Sequence, residues 1–146
     1  MSRRRAREAA LRVLYQRDVG GDDPRRALRL AVQDLNLAPE AAEFAWDLVM
    51  GTLDHLGPID RDVAALSPEW APRRMAAIDR NLLRLGVFEL AYTDTPVEVV
   101  INEAVELAKR YSTGDSGRFI NGVLGALARR LGRAAAAQKP APGTEG

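Results

Sequence analysis

Apolar residues recur three and four positions apart along almost the whole of this chain, while the alternation that marks a half-buried strand is nearly absent. Such spacing gathers apolar side chains on one stripe of a helix, so the expected fold is all-α, a compact bundle of about seven helices. Capping and breaking residues set the expected boundaries. A first helix runs from an N-cap at Ser2 to about Arg17, buries Ala6, Ala9, Ala10, Val13 and Leu14, and stops at Gly20-Gly21. Asp23 and Pro24 open a second, with Leu28, Ala31, Val32 and Leu35 inside; Pro39 opens a third, with Ala42, Ala45, Trp46, Val49 and Leu53 inside. Gly57-Pro58 starts a short fourth helix, and the proline-containing segment 67–72 is a connector. From Arg73 to Tyr92 two apolar stripes share one helix, which marks it as central. Thr95-Pro96-Val97-Glu98 has the form of a capping box and starts a sixth helix ending near Tyr111, after which Asp115 or Ser116 caps the seventh. Gly122 and Gly125 in that helix suggest close helix packing. Residues 1–132 read as one domain, and the alanine- and proline-rich 133–146 as a disordered tail.

Composition narrows the class. The chain has no cysteine, which removes disulfides, thiolate zinc sites and a cysteine nucleophile and agrees with an intracellular protein. No apolar run approaches the roughly 18 residues of a membrane span. The basic start is not followed by the ~7–15 apolar residues of a signal peptide, so the expected location is the cytoplasm. A net charge of +1 hides two opposed fields: +5 over residues 1–30, −7 over 31–70, zero over 71–110 and +3 over 111–146. Only Lys109 and Lys139 are lysine. Arginine's planar fork suits phosphate, and a GC-rich genome produces the same bias.

Catalytic patterns are missing. The single histidine, His55, has no second histidine or cysteine with which to form a zinc site or a nucleophile pair. The acidic stretch lacks a two-carboxylate spacing, and neither a phosphate loop nor a dinucleotide fingerprint is present. The expectation is a non-enzyme without cofactor or metal. Two segments carry binding chemistry instead. Arg3 and Arg7 share a helical face flanked by Arg4, Arg5 and Arg12, at a helix end where cations are unfavourable and an external anion would relieve them. A solvated basic terminus fits the same residues. Residues 111–119 form a polar loop running into a helix N-terminus, with Arg118 in the first turn. That geometry receives phosphate, and it equally describes an ordinary capped loop.

Four segments taken together resemble the NusB family of bacterial transcription antitermination factors. They are Arg5-Ala6-Arg7-Glu8-Ala9-Ala10-Leu11 with Leu14-Tyr15-Gln16; Leu83-Arg84-Leu85-Gly86-Val87-Phe88-Glu89-Leu90; Pro96-Val97-Glu98 through Ala108-Lys109; and Asp115-Ser116 with Arg118-Phe119-Ile120-Asn121-Gly122-Val123-Leu124. In order and spacing they span about residues 3–131. The resemblance implies two packed helical bundles that bind boxA-type RNA with the ribosomal protein NusE. It also implies assembly with RNA polymerase and other Nus factors to suppress termination in ribosomal RNA operons. It places the RNA surface on Arg3, Arg4, Arg5 and Arg7, with Asp115 and Arg118, and matches Tyr15 and Asp79 to positions on the partner-protein and RNA surfaces. Phe119 and Asn121 belong to the family motif, although Phe119 has core spacing. Gly117 stands where the family often has a longer side chain, and the tail lies outside the family fold.

With eight aromatic residues, mostly at core spacing, arginine–phosphate contacts and hydrogen bonds are expected to outweigh stacking. Arg4 and Arg7 are both expected to be exposed. In the acidic stretch, Glu40, Glu43 and Asp47 offer a face for a basic partner or simply an acidic exterior. Two rival readings accompany the family. One is a non-catalytic oligomerising scaffold, since some relatives self-associate and a homodimer could hide the RNA site. The other is an RNA-targeting domain like that of certain ribosomal RNA cytosine methyltransferases, although this chain has neither their catalytic domain nor a cysteine for the attack on cytosine.

Overall fold

The computed structural model describes residues 2–67 and 74–133, and these are helical with no strand among them. The elements are α1 (Arg3–Gly20), α2 (Pro24–Leu35), α3 (Pro39–Asp54), α4 (Leu56–Leu66), α5 (Ala77–Tyr92), α6 (Val97–Tyr111) and α7 (Ser116–Arg130). The first helix begins and ends on its expected signals, and the second begins on its own. The Ser2 hydroxyl accepts a hydrogen bond from the Arg5 amide at 3.3 Å, and Gly21 closes α1 in the left-handed region at φ 70°. Asp23 caps α2 by accepting from the Arg26 amide at 3.1 Å.

Helices α1–α3 form one layer and α4–α7 the other, and α1 and α5 meet at the junction. Helix α5 packs against α1, α3, α4, α6 and α7, which explains why every residue from Asn81 to Leu90 is buried. Helix α1 is enclosed almost as fully: Ala6 through Leu11, Val13 and Leu14 are all buried. No helix among the described residues is long and apolar enough to cross a membrane.

Several expectations need correction. Helix α5 starts at Ala77 rather than Arg73, with Met75 buried ahead of it; the connector 68–73 lies outside the described residues. Helix α6 starts at Val97 with Pro96 at the N-cap and no side-chain cap. The capping box does not form because the Thr95 hydroxyl lies 3.1 Å from that of Thr93, inside the preceding turn. Of the expected inner face of α3, Ala45 and Val49 are buried and Trp46 and Leu53 are partly buried against the core, while Ala41, Leu48 and Thr52 join the buried set and Ala42 is only partly buried. Thr52 can face inward because its hydroxyl donates to the Leu48 carbonyl at 2.7 Å, while the partly buried Trp46 has the guanidinium of Arg25 over its ring. The close glycine contacts are elsewhere than expected: a Cβ at Gly122 would meet nothing, whereas one at Gly51 would overlap the Phe88 ring. Arg133, read as the start of the tail, belongs to the fold; it donates to the carbonyls of Leu90 at 2.7 Å and Thr95 at 2.6 Å. Residues 134–146 lie outside the described residues.

A polar cluster ties the end of α1 to α4 and α5. Asp18 accepts from Arg80 at 2.7 Å, Asn81 at 3.0 Å and Arg84 at 3.2 Å, and Arg84 grips Asp60 with two bonds of 2.9 Å. Burial works to raise the Asp18 pKa, but the bonds from Arg80 and Asn81 and the charge of Arg84 outweigh it and hold the carboxyl below its ordinary range. A depressed folded pKa means stability present above the unfolded value of about 3.9 and lost as pH falls through the folded one. Asp18→Asn should therefore lower the melting temperature at pH 7, and its difference from the parent should shrink as melts are repeated below about pH 4. Gly51→Ala should destabilise by about 1–3 kcal/mol or more through overpacking on Phe88, read as a lower urea midpoint with an unchanged slope.

Candidate nucleic-acid interface

The arginines of α1 divide by depth. Arg3, Arg4 and Arg5 are exposed. Arg7 is only 4% exposed and forms two hydrogen bonds of 2.8 Å with Glu89 of α5, itself buried. This corrects the expectation that Arg7 lies on the surface beside Arg4. One turn separates Arg3 from Arg7, and from Ala6 onward α1 is covered by α2 and α3 on one side and by α5 on another. Much of the compensation expected from an external anion is internal. Arg4 makes two bonds of 2.9 Å to Glu103 of α6. Arg5 donates to the carbonyl of Leu35 at 2.8 Å, at the C-terminal end of α2 where a cation is favoured. Arg3 lies over the Phe44 ring, 4.3 Å from its centroid.

Further along α1, buried Glu8 accepts the Tyr111 hydroxyl and pairs with Arg12 at 3.5 Å and Arg110 at 3.6 Å. Burial, with the bond to Glu8, raises the Tyr111 pKa, so the phenol keeps its proton. These links run α1 alongside α6 in the same direction. The arginine end of α1 and the loop after α6 therefore lie at opposite ends of one helix pair, nine residues or roughly 14 Å apart along α6. Lys109 and Arg110 stand between them with side chains about two-thirds exposed. Their sequence setting, a basic last turn of a helix, has an ordinary dipole explanation and did not single them out.

The loop 112–115 is fastened by Asp79 in the first turn of α5. Its carboxylate accepts from the Ser112 hydroxyl at 2.7 Å and the Ser116 hydroxyl at 3.0 Å, and the two hydroxyls lie 2.7 Å apart. Gly114 turns the chain at φ 53°. Asp115 occupies the N-cap of α7 without a side-chain cap bond, and both it and Arg118 are exposed. Phe119 is half-buried against the core and Asn121 is exposed. Tyr15, 37% exposed, lines a separate groove with Gln16, Ala76, Ala77 and Ile78. His55 caps the end of α3, with Nδ1 2.9 Å from the Gly51 carbonyl and its ring stacked on Tyr92. No group of metal-binding side chains occurs among the described residues.

The NusB family model matches residues 4–129. A transcription antitermination protein NusB of Desulforamulus reducens is 49% identical over 128 residues, which cover 87% of this chain and 90% of that protein. The chain belongs to the NusB family. Solved NusB structures share the fold. NusB from T. maritima superposes with a TM-score of 0.81 at 35% identity, covering 88% of this chain and 92% of that one. A structure of the antitermination factors NusB and NusE in complex with double-stranded RNA gives 0.80 at 33% identity, covering 88% and 96%. The NusB match takes in Arg4, Arg5, Arg7, Tyr15, Asp79, Asp115 and Arg118, while Arg3 precedes it by one residue.

Depth predicts unequal consequences for two arginines of this NusB helix. Arg7→Ala leaves Glu89 buried and unpaired and should lose about 3–5 kcal/mol in urea unfolding. Arg4→Ala should lower the urea midpoint far less, because the Arg4 side chain is 59% exposed and water competes for its end of the pair, although Glu103 is only 15% exposed.

Proposed function

We propose that this chain is a transcription antitermination factor that binds boxA-type RNA together with the ribosomal protein NusE. In that complex it joins RNA polymerase and other Nus factors during ribosomal RNA operon transcription. The observation that carries this reading is the likeness, over nearly nine-tenths of the chain, to NusB in a complex with NusE and RNA. The role is one of binding, without catalysis. Of the candidate arginines, Arg3, Arg4, Arg5 and Arg118 are accessible to phosphate, and the pairings of Arg4 and Arg5 are ones that a phosphate can exchange. Arg7 supports them from beneath by holding α1 on α5. The uncommitted carboxylate of Asp115 can accept from an unstacked base.

For NusE, two surfaces fit. Tyr15 and Val19, 37% and 58% exposed, form an apolar strip on α1. Glu40, Glu43 and Asp47 lie on one exposed face of α3 and complement the basic character usual in ribosomal proteins.

Fluorescence anisotropy of labelled boxA RNA, titrated with the protein alone and with NusE, tests the reading. Binding strengthened by NusE is expected. The logarithm of affinity should fall against the logarithm of salt with a slope of roughly −2 to −3, from about three or four phosphate contacts on a single strand. Arg3→Ala with Arg118→Ala should reduce that slope while leaving the melting temperature unchanged. A flat salt dependence contradicts the mechanism.

A further inference from the structure

We propose that the groove beside the first turn of α1 is a nucleobase site, in which one base of the bound RNA strand stacks on Phe44 while Arg3 moves to a neighbouring phosphate. This rests on the RNA-binding reading above and adds a site to it. The groove, about 600 Å³, lies between α1, α3, α6 and the turn joining α5 to α6. Its apolar floor is Phe44, Leu48 and Val99, and Val99 is 37% exposed. A volume of this size falls within the range of small-ligand sites, roughly 300–1,000 Å³.

Three observations select the occupant. Phe44 is only partly buried, and the nearer of the two guanidiniums over its ring is that of Arg3, a planar cation on an exposed side chain 4.3 Å from the centroid. At an exposed site such a contact is weak, about 1 kcal/mol or less, so a stacked base can displace it. The same ring lies 5.4 Å from Arg7, which is pinned by Glu89, so the platform is already built before a ligand arrives. Finally, the rim carries Arg3 and Arg4 for phosphate and the exposed carboxylate of Asp94 for a base amino group. A planar aromatic group joined to an anion satisfies floor and rim together. An aliphatic peptide would leave the cations unused, and an acidic one would meet Asp94 and Glu103.

The expectation from composition put stacking below electrostatics across the whole surface; the groove adds one stacked base at a defined place.

The test is an abasic scan. Labelled boxA RNAs, each lacking one base, are titrated by anisotropy in the presence of NusE against the parent protein, Phe44→Leu and Val99→Trp. The parent should lose about fivefold or more in affinity at one position. Phe44→Leu should bind intact RNA more weakly by a similar factor and become indifferent to that base, while the penalties at other positions persist. Val99→Trp, which fills the groove from an exposed floor position and leaves Phe44 in place, should give the same pattern if Phe44→Leu fails to fold. RNA binding by the parent with no position whose penalty depends on Phe44 or Val99 overturns the nucleobase site alone. A parent protein that binds no RNA overturns both this site and the RNA reading.

Discussion

Arg7 and Glu89 meet through two hydrogen bonds of 2.8 Å where neither charge reaches water, and this pair joins the basic helix α1 to the central helix α5. Burial alone would disfavour the arginine's charge; the two bonds and the charge of Glu89 outweigh it and hold the pKa above its ordinary value. A buried pair of this kind is not inherently more stabilising than two well-packed apolar residues. Its effect is geometric. Removing either partner strands the other, so α1 has one rotation on α5 at which both are satisfied, and that rotation sends Arg3, Arg4 and Arg5 outward.

The remaining electrostatics follow from this placement. Arg4 meets Glu103, Arg5 meets the end of α2, and Arg12 and Arg110 converge on Glu8, so the first and sixth helices are laced along their length. At the far end Asp79 clamps the serines that frame the second candidate segment. The carboxylate that the family pattern places on a binding surface is thus already engaged with its own chain, and its influence on Asp115 and Arg118 passes through Ser112 and Ser116. The two candidate segments lie at opposite ends of the braced α1–α6 pair, with exposed Lys109 and Arg110 on α6 between them.

Much of this was legible in the sequence because it is local. Ser2, Asp23 and Gly21 act within one turn of where they stand, and the double apolar stripe of α5 announces burial whatever packs on it. What was not legible depends on distant partners. Arg7 reads as one more surface arginine until α5 covers it, although Glu89, a lone acid within the apolar run from Leu82 to Leu90 apart from Arg84, signalled that some cation had to come to it. The Thr95 capping box failed because Thr93 offered a competing partner, and the buried face of α3 extends to Thr52, unread in the sequence, because that residue satisfies its own hydroxyl. Phe44 shows the same limit: nothing in the sequence singles it out, and only the fold reveals it partly buried beside a groove with Arg3 over its ring.

Arginine side-chain NMR during an RNA titration measures the division of labour along α1 directly. With ¹⁵N-labelled protein, the Nε–H of Arg7 should give a slowly exchanging signal at neutral pH that stays in place as boxA RNA and NusE are added. The signals of Arg3 and Arg118, broadened by exchange in the free protein, should sharpen and shift on binding. An Arg7 signal that exchanges as fast as that of Arg3, or that moves with RNA while Arg3 does not, would contradict the account.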